Sequence, residues 1–251
     1  MGLFSFGDGP LKQMEKEYAQ HLGDAFRRKR ELRRNLLTAV RQFHDEAYAE
    51  AQRNLDALWK FCETNEDHRA VLLFSGLCRS RSGDQDGAIA VYKRLLRYAP
   101  DYSTALSNLG LLLMDRGDYG EAEKYLVAAE KNDRRNAYAK HNLGSLYYRM
   151  GDYEKAVTHC TAAFLHNQSL YQACTTVSLS AMAMGDLSLS RRCAKMAVDR
   201  GQSQLALDRA LREIAARQYQ GPELSAENEK LLKEWHRRTV QKSNLLYVYP
   251  E

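Results

Sequence analysis

Histidine and cysteine are the side chains here best suited to bind a metal or attack a substrate. The histidines stand at positions 21, 44, 68, 141, 159, 166 and 236. None has a cysteine or second histidine at ligand spacing on the same helical face. His159 and Cys160 are neighbours, but adjacent side chains on a helix diverge by about 100° and cannot form a nucleophile–base pair. With no phosphate-cradling glycine loop, His-Glu-x-x-His or Gly-x-Ser-x-Gly either, we expect no enzyme, no catalytic residue, no metal ligand and no cofactor.

Cysteine usage and hydropathy favour a soluble protein of the cytoplasm. The chain has 5 cysteines and no Cys-x-x-Cys, which argues against a disulfide framework and favours reduced thiols. No run approaches the ~18 uninterrupted apolar residues of a transmembrane segment. The opening stretch 1–6 is too short and lacks the basic lead-in of a secretory signal, and Phe6 departs from the myristoylation pattern.

A run of six cations and one acid near the N-terminus could bind anions. The cations are Arg27, Arg28, Lys29, Arg30, Arg33 and Arg34. On a helix they could dock on the phosphates of nucleic acid or of an anionic membrane. The alternative is a solvated helix surface, pairing with an acidic partner or with Asp45, Glu46 and Glu50. No aromatic platform or recognised nucleic-acid motif surrounds the run, so nucleic acid is the less favoured partner.

Small and turn-forming residues recur every 34 residues through the middle of the chain. Three such series run in step: Gly76, Gly110, Gly144 and Ser178; Gly83, Gly117, Gly151 and Gly185; and Ala88, Ala122, Ala156 and Ser190. Four registers of one period with no insertion indicate an internal repeat.

Each repeat has the pattern of a helix, a tight turn and a second helix. Leucines at 106, 109 and 113 form one apolar helical face. Gly117 suits the left-handed residue that ends a helix. Asp118 and Glu121 form a capping-box pattern for the next helix. Small residues at Gly110 and Ala122 would let the two helices cross closely, and both positions become serine together in the fourth repeat.

The repeated motif resembles the tetratricopeptide repeat, whose period is 34 residues. The resemblance rests on Leu109-Gly110-x-x-Leu113 with Ala122-x-x-x-Leu126, on Leu143-Gly144-x-x-Tyr147 with Ala156-x-x-x-Cys160, and on Ala88-x-x-x-Tyr92 with Pro100. It covers residues 69 to about 201 and implies an all-α, right-handed superhelix (an α-α solenoid). The chain departs from the family at the early aromatic, replaced by Leu72, Leu106, Lys140 and Cys174, and at the late proline, kept only as Pro100.

The repeat register divides the chain into segments. We expect a loose N-terminus (1–10), an N-terminal helical extension with a diverged leading helical pair (11–68), four repeats (69–102, 103–136, 137–170 and 171–202), and C-terminal capping helices with a tail (203–251). Residues 11–64 could form one long helix or two. The apolar tail 245–251 could pack on its own chain or act as a ligand.

The resemblance implies that the first helix of each repeat lines a concave groove for a peptide. Carried onto this sequence, the lining comprises Phe74, Leu77 and Arg81; Asn108, Leu111 and Asp115; Tyr138, His141, Asn142, Tyr148 and Arg149; and Thr175 and Thr176. Asn108 and Asn142 are equivalent, and an asparagine side chain both donates and accepts hydrogen bonds. A ladder of them could hold the backbone of an extended peptide. The alternative is that they are merely solvated.

These features favour a non-catalytic scaffold or adaptor that binds a peptide segment of a partner protein. The family's clamp for chaperone C-termini is not expected, because Leu73, Leu77, Tyr138 and Asn142 replace its charged or amide residues and Asn108 alone agrees. Docking on nucleic acid or an anionic membrane through residues 27–34 is the alternative function. Self-association through the N-terminal helix or the tail is a further possibility.

Overall fold

A computed structural model describes residues 30–62 and 64–218, and in these ranges the chain is α-helical. The helices are α1 (Arg30–His44), α2 (Tyr48–Leu58), α3 (Asn65–Arg81), α4 (Gln85–Tyr98), α5 (Ser103–Arg116), α6 (Tyr119–Asn132), α7 (Ala137–Met150), α8 (Tyr153–His166), α9 (Tyr171–Ala183), α10 (Leu187–Asp199) and α11 (Gln204–Gln218). A 3-10 turn, Trp59–Phe61, follows α2. None of the helices described is both long and apolar enough to cross a bilayer.

Left-handed glycines end the first helix of each repeat, as the sequence predicts. Gly83, Gly117, Gly151 and Gly185 have φ between 82° and 90°, a conformation that costs glycine little. The amide of the residue after the glycine donates a hydrogen bond to a carbonyl in the last turn of the helix; for example, Asp118 N donates to Leu113 O at 2.9 Å.

Aspartates follow these glycines, but one of them does not cap as predicted. Asp84, Asp152 and Asp186 accept a hydrogen bond from the amide three residues on, at 2.9, 3.2 and 2.9 Å. Asp118 makes no such bond, so the predicted capping box at Asp118 and Glu121 is wrong. The carboxylate of Asp118 is instead held by Arg116, whose Nε lies 2.6 Å away.

The segment ahead of α3 is broken into two helices. Glu46, between α1 and α2, has φ of 59°, and a left-handed residue interrupts helical hydrogen bonding. One continuous helix is therefore wrong for residues 30–58. The start of the predicted extension, residues 11–29, lies outside the described residues.

The chain divides into two compact units, residues 1–142 and 143–251. In the first unit, small residues let neighbouring helices cross closely. A Cβ on Gly110 would come within 2.6 Å of Leu126 Cγ and 3.2 Å of the Ala122 carbonyl oxygen. A Cβ on Gly76 would likewise come within 2.7 Å of the Tyr92 ring. Gly110 and Ala122 therefore lie at the helix crossing, as predicted.

A largely buried ion pair also joins α6 and α7 in the first unit. Lys140 Nζ lies 2.6 Å from Glu130 Oε1, and only 10% of the Lys140 side chain is exposed. One period earlier the corresponding positions are Leu106 and Leu96, which pack in an apolar cluster with Ala129 and Ala139.

The second unit repeats the close crossing with one change. Gly144 faces the sulfur of Cys160 and the backbone of Ala156. At the corresponding crossing of α9 and α10, Ser178 Oγ donates to Ser190 O at 2.9 Å and lies 3.3 Å from Ser190 Oγ. The paired serines thus meet, as their joint appearance in the sequence predicts.

Helix α11 closes the apolar core of the second unit in the part described. Leu207 and Leu211 pack in one buried cluster with Cys174, Met182, Leu187 and Ala197, against which Phe164 also packs. Helix α11 is thus packed on this core through Leu207 and Leu211, and its role as a cap of the repeats stays a prediction. The second capping helix and the tail lie outside the described residues.

Candidate functional site

The residues expected to line the groove differ widely in exposure. In the first unit, Arg81 and Asp115 are exposed; Leu77, Asn108, Leu111, Tyr138 and Asn142 are half-buried; and Phe74 and His141 are buried. In the second unit, Arg149 is exposed, Tyr148 and Thr175 are half-buried, and Thr176 is buried. All lie on α3, α5, α7 or α9, the first helices of the repeats.

Asn108 is held by the tyrosine of the preceding helix. Its Nδ2 donates to Tyr92 Oη at 3.3 Å. Tyr92 is fully buried, and burial raises the pKa of its hydroxyl far above the usual range, against a lowering by the Asn108 hydrogen bond. The hydroxyl therefore stays neutral and fixes the amide of Asn108 from α4.

Asn142 is held by a different partner. The position equivalent to Tyr92 is here Leu126, which has no hydrogen-bonding group. Asn142 Nδ2 donates instead to Ser107 Oγ at 3.0 Å. This bond joins α7 to α5. Neither asparagine is therefore merely solvated.

The two asparagines keep hydrogen-bonding capacity for a ligand. Each uses one Nδ2 hydrogen on its helical neighbour. Among the described residues neither Oδ1 has a partner, and neither is a buried, unsatisfied atom. Each amide can thus still accept one hydrogen bond and donate another.

In the first and fourth repeats the residues equivalent to Asn108 and Asn142 are Phe74 and Thr176, and both are buried. Phe74 is 3% exposed, and its ring lies edge-on to Phe43 of α1 at 6.4 Å between centroids. Thr176 donates to Gln172 O at 3.2 Å and hydrogen-bonds Cys160, the equivalent of Tyr92. Open amides at this position are thus found on α5 and α7.

Sequence reasoning missed the partners of these side chains. Tyr92 and Cys160 stand sixteen residues before Asn108 and Thr176 respectively. This common offset of sixteen residues could have identified both partners, because it relates a residue on the second helix of one repeat to the residue it contacts on the first helix of the next repeat. Ser107 follows no such rule, since it bonds Asn142 only where Leu126 leaves the amide without a partner.

Aromatic and hydroxyl groups define the predicted positions in the second unit. The rings of Tyr148 and Tyr153 lie 5.9 Å apart and tilted by 52°. Thr175 Oγ1 lies 3.2 Å from Tyr171 O and 3.4 Å from Gln202 Oε1. The neighbouring Arg149 is exposed. This set offers an aromatic wall and a cation.

Three of the five cysteines are buried and lack the properties of nucleophiles. Burial raises the pKa of Cys78 and of Cys160 to about 12 and that of Cys174 to about 11, so these thiols stay protonated at neutral pH. The ring of His159 lies 5.4 Å from that of Tyr147. Within residues 30–62 and 64–218, no group of three His, Cys, Asp or Glu side chains could hold a metal ion.

Most of the basic run, residues 27–34, lies outside the described residues. Arg27, Arg28 and Lys29 lie outside the described residues, as do the side chains of Arg30 and Arg33. Arg34 is exposed on α1. The anion-binding hypothesis therefore stays a prediction.

Sequence comparison identifies one family over the middle of the chain. Residues 76–134 and 107–168 match a family model described as tetratricopeptide repeat. The BBSome complex member BBS4 of Bos taurus is 34% identical over 91 residues, which make up 36% of this chain and 18% of that protein. This chain therefore matches about a fifth of the length of that relative.

Solved structures with the same fold include a pilus biogenesis factor, a MamA protein and an O-GlcNAc transferase mutant. PilW, a widely conserved type IV pilus biogenesis factor, superposes with a TM-score of 0.64 at 17% identity, covering 81% of this chain and 99% of PilW. A MamA protein gives 0.55 at 22% identity, covering 74% and 98%. An O-GlcNAc transferase mutant of Thermobaculum terrenum gives 0.53 at 26% identity, covering 55% and 27%. The predicted all-α repeat fold is confirmed.

Proposed function

The chain contains tetratricopeptide repeats, and from this premise we propose that it is a non-catalytic scaffold or adaptor that binds an extended peptide segment of a partner protein. The observation that carries the proposal is the pair of amides on α5 and α7. Asn108 and Asn142 are each anchored through Nδ2 and each have an uncommitted Oδ1. Anchored amides lose little freedom on binding.

The amides suit a peptide backbone in particular. Each can accept from a peptide N–H and donate to a peptide C=O, which every sequence offers. Half-buried Leu77 and Leu111 add apolar contacts, while exposed Arg81 and Asp115 carry opposite charges. The ligand of this unit is therefore an extended segment with apolar side chains and no dominant charge. Tyr148, Arg149 and Thr175 form a separate candidate set in the second unit.

The experiment is a capture of partners from native lysate by the intact chain and by an Asn108→Ala/Asn142→Ala variant, at low and high salt. We expect a protein partner that survives high salt, because apolar and neutral hydrogen-bonded contacts are weakly screened. The double variant should lose it. Binding that ignores the asparagines but vanishes with salt would reject the groove and point to a charged surface elsewhere, residues 27–34 being one candidate.

Two controls separate binding from folding. Asn132→Ala changes an exposed asparagine at the end of α6 and should keep the partner. Tyr92→Phe removes the hydroxyl that anchors Asn108 but leaves that amide in place. It should weaken capture less than Asn108→Ala, and thermal unfolding of all variants should show that each is folded.

The same proposal places the protein in the cytoplasm. All five cysteines are free thiols, and three of them are buried. Free thiols are typical of reducing compartments such as the cytoplasm. Self-association through the N-terminal helix or the tail stays a prediction, since residues 1–29 and 219–251 lie outside the described residues. Mass measurements over a range of concentrations would test it.

A further inference from the structure

An aromatic cluster in the first unit is not used by the proposed function. It joins the end of α2, the start of α3 and the end of α4. The rings of His68 and Tyr98 are parallel at 4.7 Å, and the Trp59 ring meets His68 edge-on at 4.4 Å. His68 Nδ1 lies 2.8 Å from Thr64 O, which fixes the imidazole in the stack.

A cation lies on this cluster, and its N–H donors have no hydrogen-bond partner among residues 30–62 and 64–218. The guanidinium carbon of Arg94 lies 3.7 Å above the centre of the Trp59 ring, and Arg94 is exposed. Within the part of the chain that the structure describes, no carboxylate lies at salt-bridge distance from Arg94. By contrast, Arg79, Arg116, Lys124, Lys140 and Lys155 each have one.

This geometry prepares Arg94 for an anion. The guanidinium carbon is in contact with the indole ring, and a guanidinium carries five N–H donors in a fixed, planar arrangement. A planar carboxylate can take two of them at once. Lys60, over the Phe61 ring at 5.0 Å, and exposed Arg97, one turn beyond Arg94, add positive charge and have no carboxylate partner among the described residues.

We propose that Trp59, Arg94 and the rings behind them form a second interaction surface, which binds an acidic segment of a partner protein through its carboxylates. Charge complementarity favours acidic residues, and the planar guanidinium of Arg94, held over the Trp59 ring, favours a carboxylate, which can accept from two N–H groups at once. The surface is independent of the asparagine pair, so either site can be lost without the other.

The ring arrangement disfavours nucleic acid as the occupant. Single-stranded nucleic acids bind by stacking bases on free aromatic faces. Here one face of Trp59 carries Arg94, and His68 and Tyr98 face each other. The cluster therefore offers a cation held over an aromatic ring rather than a set of free aromatic faces.

The test uses the full chain and a fluorescein-labelled hexaglutamate peptide, read by anisotropy at low salt. Arg94→Ala should weaken binding about tenfold, the loss expected for a bidentate charged contact. Arg94→Lys should weaken it as well, since an ammonium keeps the charge but lacks the paired N–H donors that bind both oxygens of a carboxylate. Trp59→Leu leaves every charge in place and should also weaken binding, because Arg94 is then no longer held.

Matched controls make the outcome decisive. Arg134→Ala removes an exposed arginine in the α6–α7 turn and should not change hexaglutamate binding, nor should Asn108→Ala/Asn142→Ala. Equal weakening by Arg134→Ala, or equal binding of a hexaglutamine peptide, would overturn the proposal. So would tighter, Arg94-dependent binding of a twelve-nucleotide oligothymidine, which would show a nucleic-acid surface instead.

Discussion

Leu126 packs its branched carbon against the bare Cα of Gly110 where α5 crosses α6. A Cβ at residue 110 would lie 2.6 Å from that carbon and 3.2 Å from the carbonyl oxygen of Ala122. A side chain can rotate away, but a helix backbone can retreat only by separating the two helices. The crossing therefore requires glycine for space.

Gly110→Ala should lower the free energy of unfolding by about 2 kcal/mol, the usual cost of overpacking. Gly120→Ala is the matched control, because a Cβ on Gly120 in α6 meets nothing within 4 Å. It should raise stability by about 0.5–1 kcal/mol through helix propensity. Urea unfolding measures both, and two changes of the same sign would contradict the packing argument.

Glu46→Gly should stabilise the chain. Glu46 has φ of 59°, and a left-handed conformation costs a non-glycine residue about 1–2 kcal/mol. Since glycine loses more entropy on folding, a net gain of about 0.5–1 kcal/mol is expected. Glu50→Gly, inside α2, should be destabilising. Thermal unfolding of the two variants should shift in opposite directions.

Two capping aspartates should make stability depend on pH in acid. The Arg79 hydrogen bond and then the Gly87 amide lower the pKa of Asp84, while Lys155 does the same for Asp152. A pKa lowered in the folded state contributes stability above the unfolded pKa, and that contribution is lost as pH falls below about 4.

An Asp84→Asn/Asp152→Asn variant tests this linkage. Asparagine still caps both helices but cannot ionise. The variant should be less stable than the natural chain at neutral pH, and the gap in melting temperature should close towards pH ~2. A gap that stays constant over this range would show that ionisation of the two carboxylates does not contribute.

Thiol labelling should divide the cysteines into two classes. Cys78, Cys160 and Cys174 are buried and Cys62 and Cys193 are half-buried. Burial raises the pKa of these three thiols and also that of Cys193, and thiolate is the reactive form, so exposure rather than pKa separates Cys193 from them. Under native conditions iodoacetamide should modify Cys62 and Cys193 alone, and all five in denaturant. Mass spectrometry of a Cys62→Ser/Cys193→Ser variant should then show no native labelling.

Features set by a single residue's backbone or size could be predicted from the sequence. The left-handed glycines and the Ser178–Ser190 contact follow from local geometry or from two positions changing together. The cap predicted at Asp118 is absent, and its carboxylate pairs with Arg116 instead. Asp84 pairs with Arg79 and still caps its helix, so the rotamer of the aspartate, which spacing does not reveal, decides the outcome.

The candidate sites were only partly visible for the same reason. The repeat register pointed to Asn108 and Asn142, but not to Tyr92 or Ser107, which are brought to them by helix packing. The cluster at Trp59 was missed altogether. Its members Trp59, His68, Arg94 and Tyr98 come from three elements and share no period.

The ion pair of Lys140 and Glu130 has a consequence for the order of the repeats. One period earlier the matching residues are Leu106 and Leu96, and one period later they are Cys174 and Phe164. A chain that slipped by one repeat during folding would set Lys140 against Leu96 or Glu130 against Cys174. A charge buried without its partner opposes that arrangement. The ion pair therefore opposes a slip of one repeat where the second and third repeats meet.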